Sequence, residues 1–213
     1  MHYFAAGGLV VGAYVLGSVP AGLIVARAVK GIDIREAGSR NIGATNVGRV
    51  LGRKWGLLVW LLDGLKGFLP AFAAGMFAGH AWLSYDLPLA PVLCAVGAIC
   101  GHNFSVFLKF RGGKGVSTSF GAFVYLFPVG LLVATLVWIL AVLATRYVSA
   151  ASMLAGISLS ASALLIPPSP FGKSLYLTIG CLLITLLVIL RHKSNIRRLL
   201  AGTENRIHLG PTR

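Results

Sequence analysis

Acidic side chains are scarce: five Asp and Glu stand against 19 Lys and Arg in 213 residues. That shortage excludes several chemistries. No paired carboxylates are available for glycosidase work or for holding magnesium, so a metal-dependent phosphotransferase is not expected. Cysteine is also rare. Cys94, Cys100 and Cys181 lie within apolar runs and form no Cys-x-x-Cys pair, which argues against a disulfide frame or a zinc site. No cofactor or metal is expected. Charged residues make up only 11% of the chain, against about a quarter in soluble domains. Linkers, low-complexity segments and internal repeats are missing too, so residues 1–213 are read as a single domain.

What is abundant is apolar sequence: 57% of residues are hydrophobic, and the mean hydropathy is +0.85. Such runs belong in lipid, and the chain is read as an all-α polytopic membrane protein. Its formal net charge is +14. Two causes are open: the basic bias of cytoplasmic loops and an anionic substrate. Nucleic acid is not expected, because the cations are divided among short loops instead of forming one module.

The most informative stretch is 101–118, GHNFSVFLKFRGGKGVST, set between apolar runs. Lys109, Arg111 and Lys114 stand there among glycines, a histidine, an asparagine and three hydroxyls. Glycines let backbone N–H groups approach an anion closely, and the cations add full charge. Adhesion to a lipid surface accounts for the cations but not for the glycines. A Walker A loop is excluded, since Leu108 stands where its first glycine would be. A second polar segment, 30–54, contains GSRNIGATNVGR at 38–49 and has room for a short interfacial helix. The third is HKSNIRRLLAGTE at 192–204, where His192, Asn195 and Leu199 share one face of a helix continuing from the membrane. Glu204 is a rare anion there, expected to pair with an Arg.

The apolar runs set the topology. The first covers about residues 4–29, with Pro20 expected to kink it or open its last turns. The second covers 55–78 and carries Asp63 and Lys66, an i,i+3 pair read as a structural ion pair. Gly64 and Gly67 beside them suggest close helix approach. The third covers 88–104. Residues 116–144 divide into two short helices at Phe127-Pro128, because a single span would put Arg191, Lys193, Arg197 and Arg198 on the wrong side. Residues 79–87 and the turn at 167–170, with Lys173, are then outside. The last helix covers 173–190. The count is seven transmembrane helices, N-terminus outside and C-terminus cytoplasmic, with the three polar segments at the cytoplasmic face.

Together those segments offer Ser39, Arg40, Asn41, Thr45, Asn46, Arg49, His102, Lys109, Arg111, Lys114, His192 and Asn195. This set suits phosphate binding and neutralisation of a phosphate leaving group. The alternative is an organophosphate transporter using the cations as a cytoplasmic funnel. Transporters usually show repeats and mid-membrane sites; no repeat is evident here, and the polar residues cluster at one face except for Asp63 and Lys66.

Three motifs carry a resemblance across nearly the whole chain. They are Gly38-Ser39-x-Asn41-x-Gly43-x-Thr45-Asn46-x-x-Arg49, Gly101-His102-x-Phe104 through Lys109-Phe110-x-Gly112-Gly113-Lys114-Gly115-Val116-x-Thr118, and His192-x-x-Asn195-x-x-Arg198 with Gly202-x-Glu204. The chain resembles the acyl-phosphate-dependent glycerol-3-phosphate acyltransferases of bacterial inner membranes, the PlsY family. Arg111 and Ser117 stand where relatives often carry Lys and Ala. The resemblance implies acyl transfer from acyl phosphate to the 1-hydroxyl of sn-glycerol 3-phosphate, with lysophosphatidic acid and inorganic phosphate as products. It implies a membrane-lipid setting, a cytoplasm-facing site, and neither acyl-CoA nor acyl carrier protein as direct donor. In that scheme Lys114 and the Gly112-Gly113 backbone hold a phosphate, with His102 and Arg111 among the binding residues. Ser39, Arg40, Asn41, Thr45, Asn46 and Arg49 hold glycerol 3-phosphate and orient the donor carbonyl. His192 and Asn195 position the attacking hydroxyl. Ser39, Lys114, His192 and Asn195 form the expected catalytic set.

Overall fold

A computed structural model describes residues 2–79, 88–167 and 175–207. The expected outside segments at 79–87 and 167–173 lie almost wholly outside the described residues. All regular structure among the described residues is helical. The chain divides into two compact units, 1–127 and 128–213, and each is described by itself.

In the first unit, α1 (His2–Ser18) and α2 (Ala21–Lys30) are separated at Val19-Pro20. Pro20 lacks the N–H that would continue the helix, and its ring obstructs the preceding turn. The expected kink or opening is an interruption of two residues, and residues 7–30 still run on as one span. The freed carbonyls find side-chain donors: Ser105 Oγ donates to Ser18 O at 2.5 Å, and Lys66 Nζ donates to Val19 O at 2.9 Å. A 3-10 turn at Ile34–Glu36 leads to α3 (Ala44–Leu51), the short interfacial piece, and then to α4 (Arg53–Phe77). The third run forms α5 (Leu89–Asn103), and α6 is Val116–Leu126. Close approach between α4 and α6 depends on small residues, as Gly64 and Gly67 suggested. A Cβ on Gly67 would run into the Thr118 carbonyl, and one on Gly121 into the Gly64 carbonyl.

The second unit holds α7 (Pro128–Thr145), α8 (Val148–Leu165), α9 (Leu175–Arg191) and α10 (Lys193–Leu200). The break at Phe127-Pro128 falls where parity demanded it, but the two helices are unequal. At 11 residues α6 is about 16 Å long, roughly half a hydrocarbon core of about 30 Å, while α7 has 18 residues. The tail differs from expectation: α10 does not continue α9 but turns by 57° at His192.

Among the described residues five helical stretches are long and apolar enough to cross a membrane, or six if the bent α9–α10 pair counts as one span. Their outward faces are apolar. Leu57, Leu61, Leu65 and Leu69 form one exposed stripe along α4, and Leu132, Leu136, Leu140 and Leu143 another along α7. Stripes at i,i+3 and i,i+4 spacing that face outward identify lipid, not a protein core, as their solvent.

Candidate active site

The first polar segment begins where α2 ends at Gly31, in the left-handed region at φ +68°. Asp33 accepts the Arg35 N–H at 3.0 Å and pairs with the guanidinium groups of Arg35 at 2.5 Å and Arg27 at 3.5 Å. The hydrogen bond from Arg35 holds the Asp33 carboxyl well below the usual carboxylate range. The loop that follows is organised by one buried side chain. Asn46 Oδ1 accepts the Ser39 N–H at 2.7 Å, and its Nδ2 donates to the carbonyls of Asn41 at 2.8 Å, Ala37 at 3.0 Å and Ile34 at 3.3 Å. Asn46, expected on substrate, is thus a loop-positioning residue. Asn41 Oδ1 accepts the Gly43 N–H at 2.8 Å, an Asx turn. Arg40 sits at φ +58°, uncommon for a residue with a Cβ. Arg40, Thr45 and Arg49 are exposed, the last two one turn apart on α3, and Ser39 is half-buried.

The second segment is held by backbone. The carbonyls of His102 and Asn103, at the end of α5, accept the N–H groups of Gly113 at 2.9 Å and Gly112 at 3.2 Å. This corrects the expectation that these two amides face phosphate: they are turned inward to cap α5. Gly115, at φ +79°, caps α6. The N–H groups of a helix's first turn have no intrahelical acceptor, and the start of α6 brings such donors next to Lys114. His102 is 3% exposed, with its ring beneath the loop instead of at its surface. Lys109 and Phe110 are both left-handed, at φ +51° and +62°. Lys109 and Arg111 line a cleft of about 550 Å³ with Arg27, Arg35 and an apolar wall of Leu23, Phe107 and Leu108. Arg27 and Arg35 were not singled out as site residues in the sequence; the available signal was the lone Asp33 set between them, six residues after one and two before the other.

The third segment belongs to the second unit. His192 caps α10 and is buried, its Nδ1 2.8 Å from the Val188 carbonyl. A carbonyl only accepts, so the proton is assigned to Nδ1 and the lone pair to Nε2. Asn195 Nδ2 donates to Glu204 Oε1 at 2.6 Å, which also accepts from Ser149 Oγ at 2.8 Å. Arg198 Nε donates to Glu204 Oε2 at 2.7 Å, the pairing expected of this anion. Burial alone would raise the Glu204 carboxyl; hydrogen bonds from Asn195, Ser149 and Arg198 outweigh it and hold the group below its ordinary value. Asn195 Oδ1 is buried without a hydrogen-bond partner. Ser149, at the start of α8, was missed, and nothing in its local sequence marks it.

An integral membrane protein with lipid-facing helices, cationic glycine loops and a histidine holding an acceptor nitrogen belongs to the class that handles phosphorylated substrates at a membrane. The comparisons make that specific. The sequence model of the family described as Glycerol-3-phosphate acyltransferase matches residues 8–202. A glycerol-3-phosphate acyltransferase of Fusobacterium nucleatum is 44% identical, with 91% of this chain and 93% of that one covered. One from Trichlorobacter lovleyi is 45% identical over 92% and 95%. The crystal structure of PlsY (YgiH), an integral membrane glycerol 3-phosphate acyltransferase in its glycerol 3-phosphate form, superposes with a TM-score of 0.86. It shares 39% identity over 96% of each chain. Its lysophosphatidic acid form gives 0.84. The chain belongs to the glycerol-3-phosphate acyltransferase family, PlsY type, and is an enzyme of that kind.

Proposed function

We propose that the enzyme transfers a fatty acyl group from acyl phosphate to the 1-hydroxyl of sn-glycerol 3-phosphate, the step that opens phospholipid synthesis. The observation that carries this reading is the construction of the 112–116 loop. Gly112 and Gly113 are pinned to the end of α5, so the backbone that carries Lys114 and leads into the first turn of α6 is fixed before any ligand arrives. Donors fixed in advance stabilise charge on a departing phosphate without reorganising at the moment of reaction.

Acyl phosphate is a mixed anhydride, so no covalent enzyme intermediate is required. The hydroxyl oxygen bonds to the acyl carbon, the carbon–oxygen bond to phosphate breaks, and inorganic phosphate leaves beside Lys114. The hydroxyl proton passes to His192 Nε2 or to a phosphate oxygen. Asn195, its Nδ2 tied to Glu204, offers Oδ1 to the acceptor hydroxyl. Ser39, Arg40, Asn41, Thr45 and Arg49 hold glycerol 3-phosphate and orient the donor carbonyl, with Arg111 contributing charge. The whole chain acts as one catalytic domain of a bacterial inner-membrane protein with seven crossings, α6 being the short one. Its site faces the cytoplasm, and neither acyl-CoA nor acyl carrier protein is a direct donor.

The test is phosphate release from synthetic acyl phosphate by purified protein, with and without glycerol 3-phosphate and with no added metal. Acceptor-dependent release matched by lysophosphatidic acid supports the reading. Turnover with acyl-CoA alone, or no turnover with glycerol 3-phosphate crossing proteoliposomes, overturns it.

A further inference from the structure

A charged cluster lies inside the first unit that the transfer chemistry leaves unused. Asp63 is 2% exposed, Lys66 5% and His102 3%. Lys66 Nζ is 2.8 Å from Asp63 Oδ1, and the same oxygen is 3.6 Å from His102 Nδ1. Lys66 also reaches the Val19 carbonyl in the α1–α2 break. On its other side the His102 ring lies against Gly113, where an added Cβ would collide with Nε2. The His102 carbonyl holds the Gly113 N–H as well. The helix break, α4 and α5 thus meet at the residue immediately before Lys114.

Stability alone does not account for this cluster. Ionisable groups removed from water lose hydration that mutual attraction only partly restores, and well-packed apolar replacements of a complete buried pair are often neutral or stabilising. What an apolar replacement would lose is the Asp63 carboxylate packed 3.6 Å from His102 Nδ1.

We infer that Asp63, Lys66 and His102 are positioning residues for acyl transfer: Asp63 and Lys66 fix the His102 ring, His102 fixes Gly113, and Gly113 sets the direction of the Lys114 cation. The inference rests on the proposed role of Lys114.

The test uses the full-length protein in lipid nanodiscs, reading turnover, both KM values and unfolding temperature. The Asp63→Leu, Lys66→Leu double variant removes the whole ion pair. It is expected to keep the wild-type unfolding temperature within a few degrees while kcat falls at least tenfold. His102→Gln, closer in size and still polar, is expected to lose about tenfold in kcat, and it serves if the double variant does not fold. Wild-type kcat in either folded variant overturns the inference, as does a loss that merely tracks the unfolded fraction. A double-mutant cycle separates positioning from general support. The roughly tenfold effect of His102→Gln should shrink below twofold in a Lys114→Arg background, because the cation it aims is already displaced. Additive losses overturn the inference. Lys114→Ala alone checks the underlying reading: near-normal turnover there would defeat the phosphate role, whatever the cluster variants show.

Discussion

The two glycine-rich segments of the first unit look alike in sequence but are held in opposite ways. The 34–46 loop hangs on one side chain, Asn46, whose carboxamide satisfies four backbone groups. The 102–115 loop hangs on its own backbone, with α5 carbonyls taking the Gly112 and Gly113 amides. The first is fragile to deletion of one polar side chain. The second is fragile to the addition of a methyl group. A glycine-rich motif therefore does not reveal by composition whether its glycines face the ligand or the scaffold.

The largest expected effect is at the cation that the second loop presents. Lys114→Ala should lower turnover by about 10²–10³-fold, the range for loss of one preorganised charge-stabilising donor, in a phosphate-release assay. His192→Ala comes next, with about 10²-fold lower kcat and a changed pH–rate profile if the imidazole takes the proton. Near-normal turnover with an unchanged profile would assign the proton to the substrate phosphate. The contrast between the loops is sharpened by two changes in opposite directions. Gly113→Ala pushes a Cβ into the His102 ring and should destabilise by about 1–3 kcal/mol, the usual overpacking range, with lower turnover. Asn46→Ala leaves buried amides and carbonyls unsatisfied, at about 1–3 kcal/mol for such groups. Its melting temperature and activity should fall together. An Asn46→Ala variant with wild-type stability would show that the first loop carries its own fold.

The smallest effect concerns pH. Glu204 has a lowered value when folded, so its contribution is complete above its ordinary value of 4.5 and is lost as pH falls through the lower folded value. Unfolding temperature measured from pH 7 downward should drop more steeply in wild type than in Glu204→Gln below about that pH. Equal slopes would remove Glu204 from the acid response.

Much was legible in advance where chemistry leaves few choices. The breaks at Pro20 and Phe127-Pro128 follow from a missing N–H, the lipid-facing helices from apolar length, and the Glu204–Arg198 pair from a lone anion among cations. The inward turn of the Gly112 and Gly113 amides was not legible, because the direction of an N–H depends on which carbonyls lie across from it. The same holds for Asn46, which sequence placed on substrate and the fold placed beneath the loop, and for Ser149, joined to Glu204 from 55 residues away. The bend at His192 was hidden for a similar reason: periodicity continued through a point where the backbone did not.

By itself the sequence determined the environment of this enzyme and its stock of polar groups: apolar helices for lipid, many cations and amides, and few carboxylates. Those follow from hydration and charge, which belong to residue types wherever they sit. Only the tertiary structure decided which polar groups serve as scaffold and which remain for ligand. Hydrogen bonds are directional and saturable, and each assignment depends on a partner that is often distant in the chain.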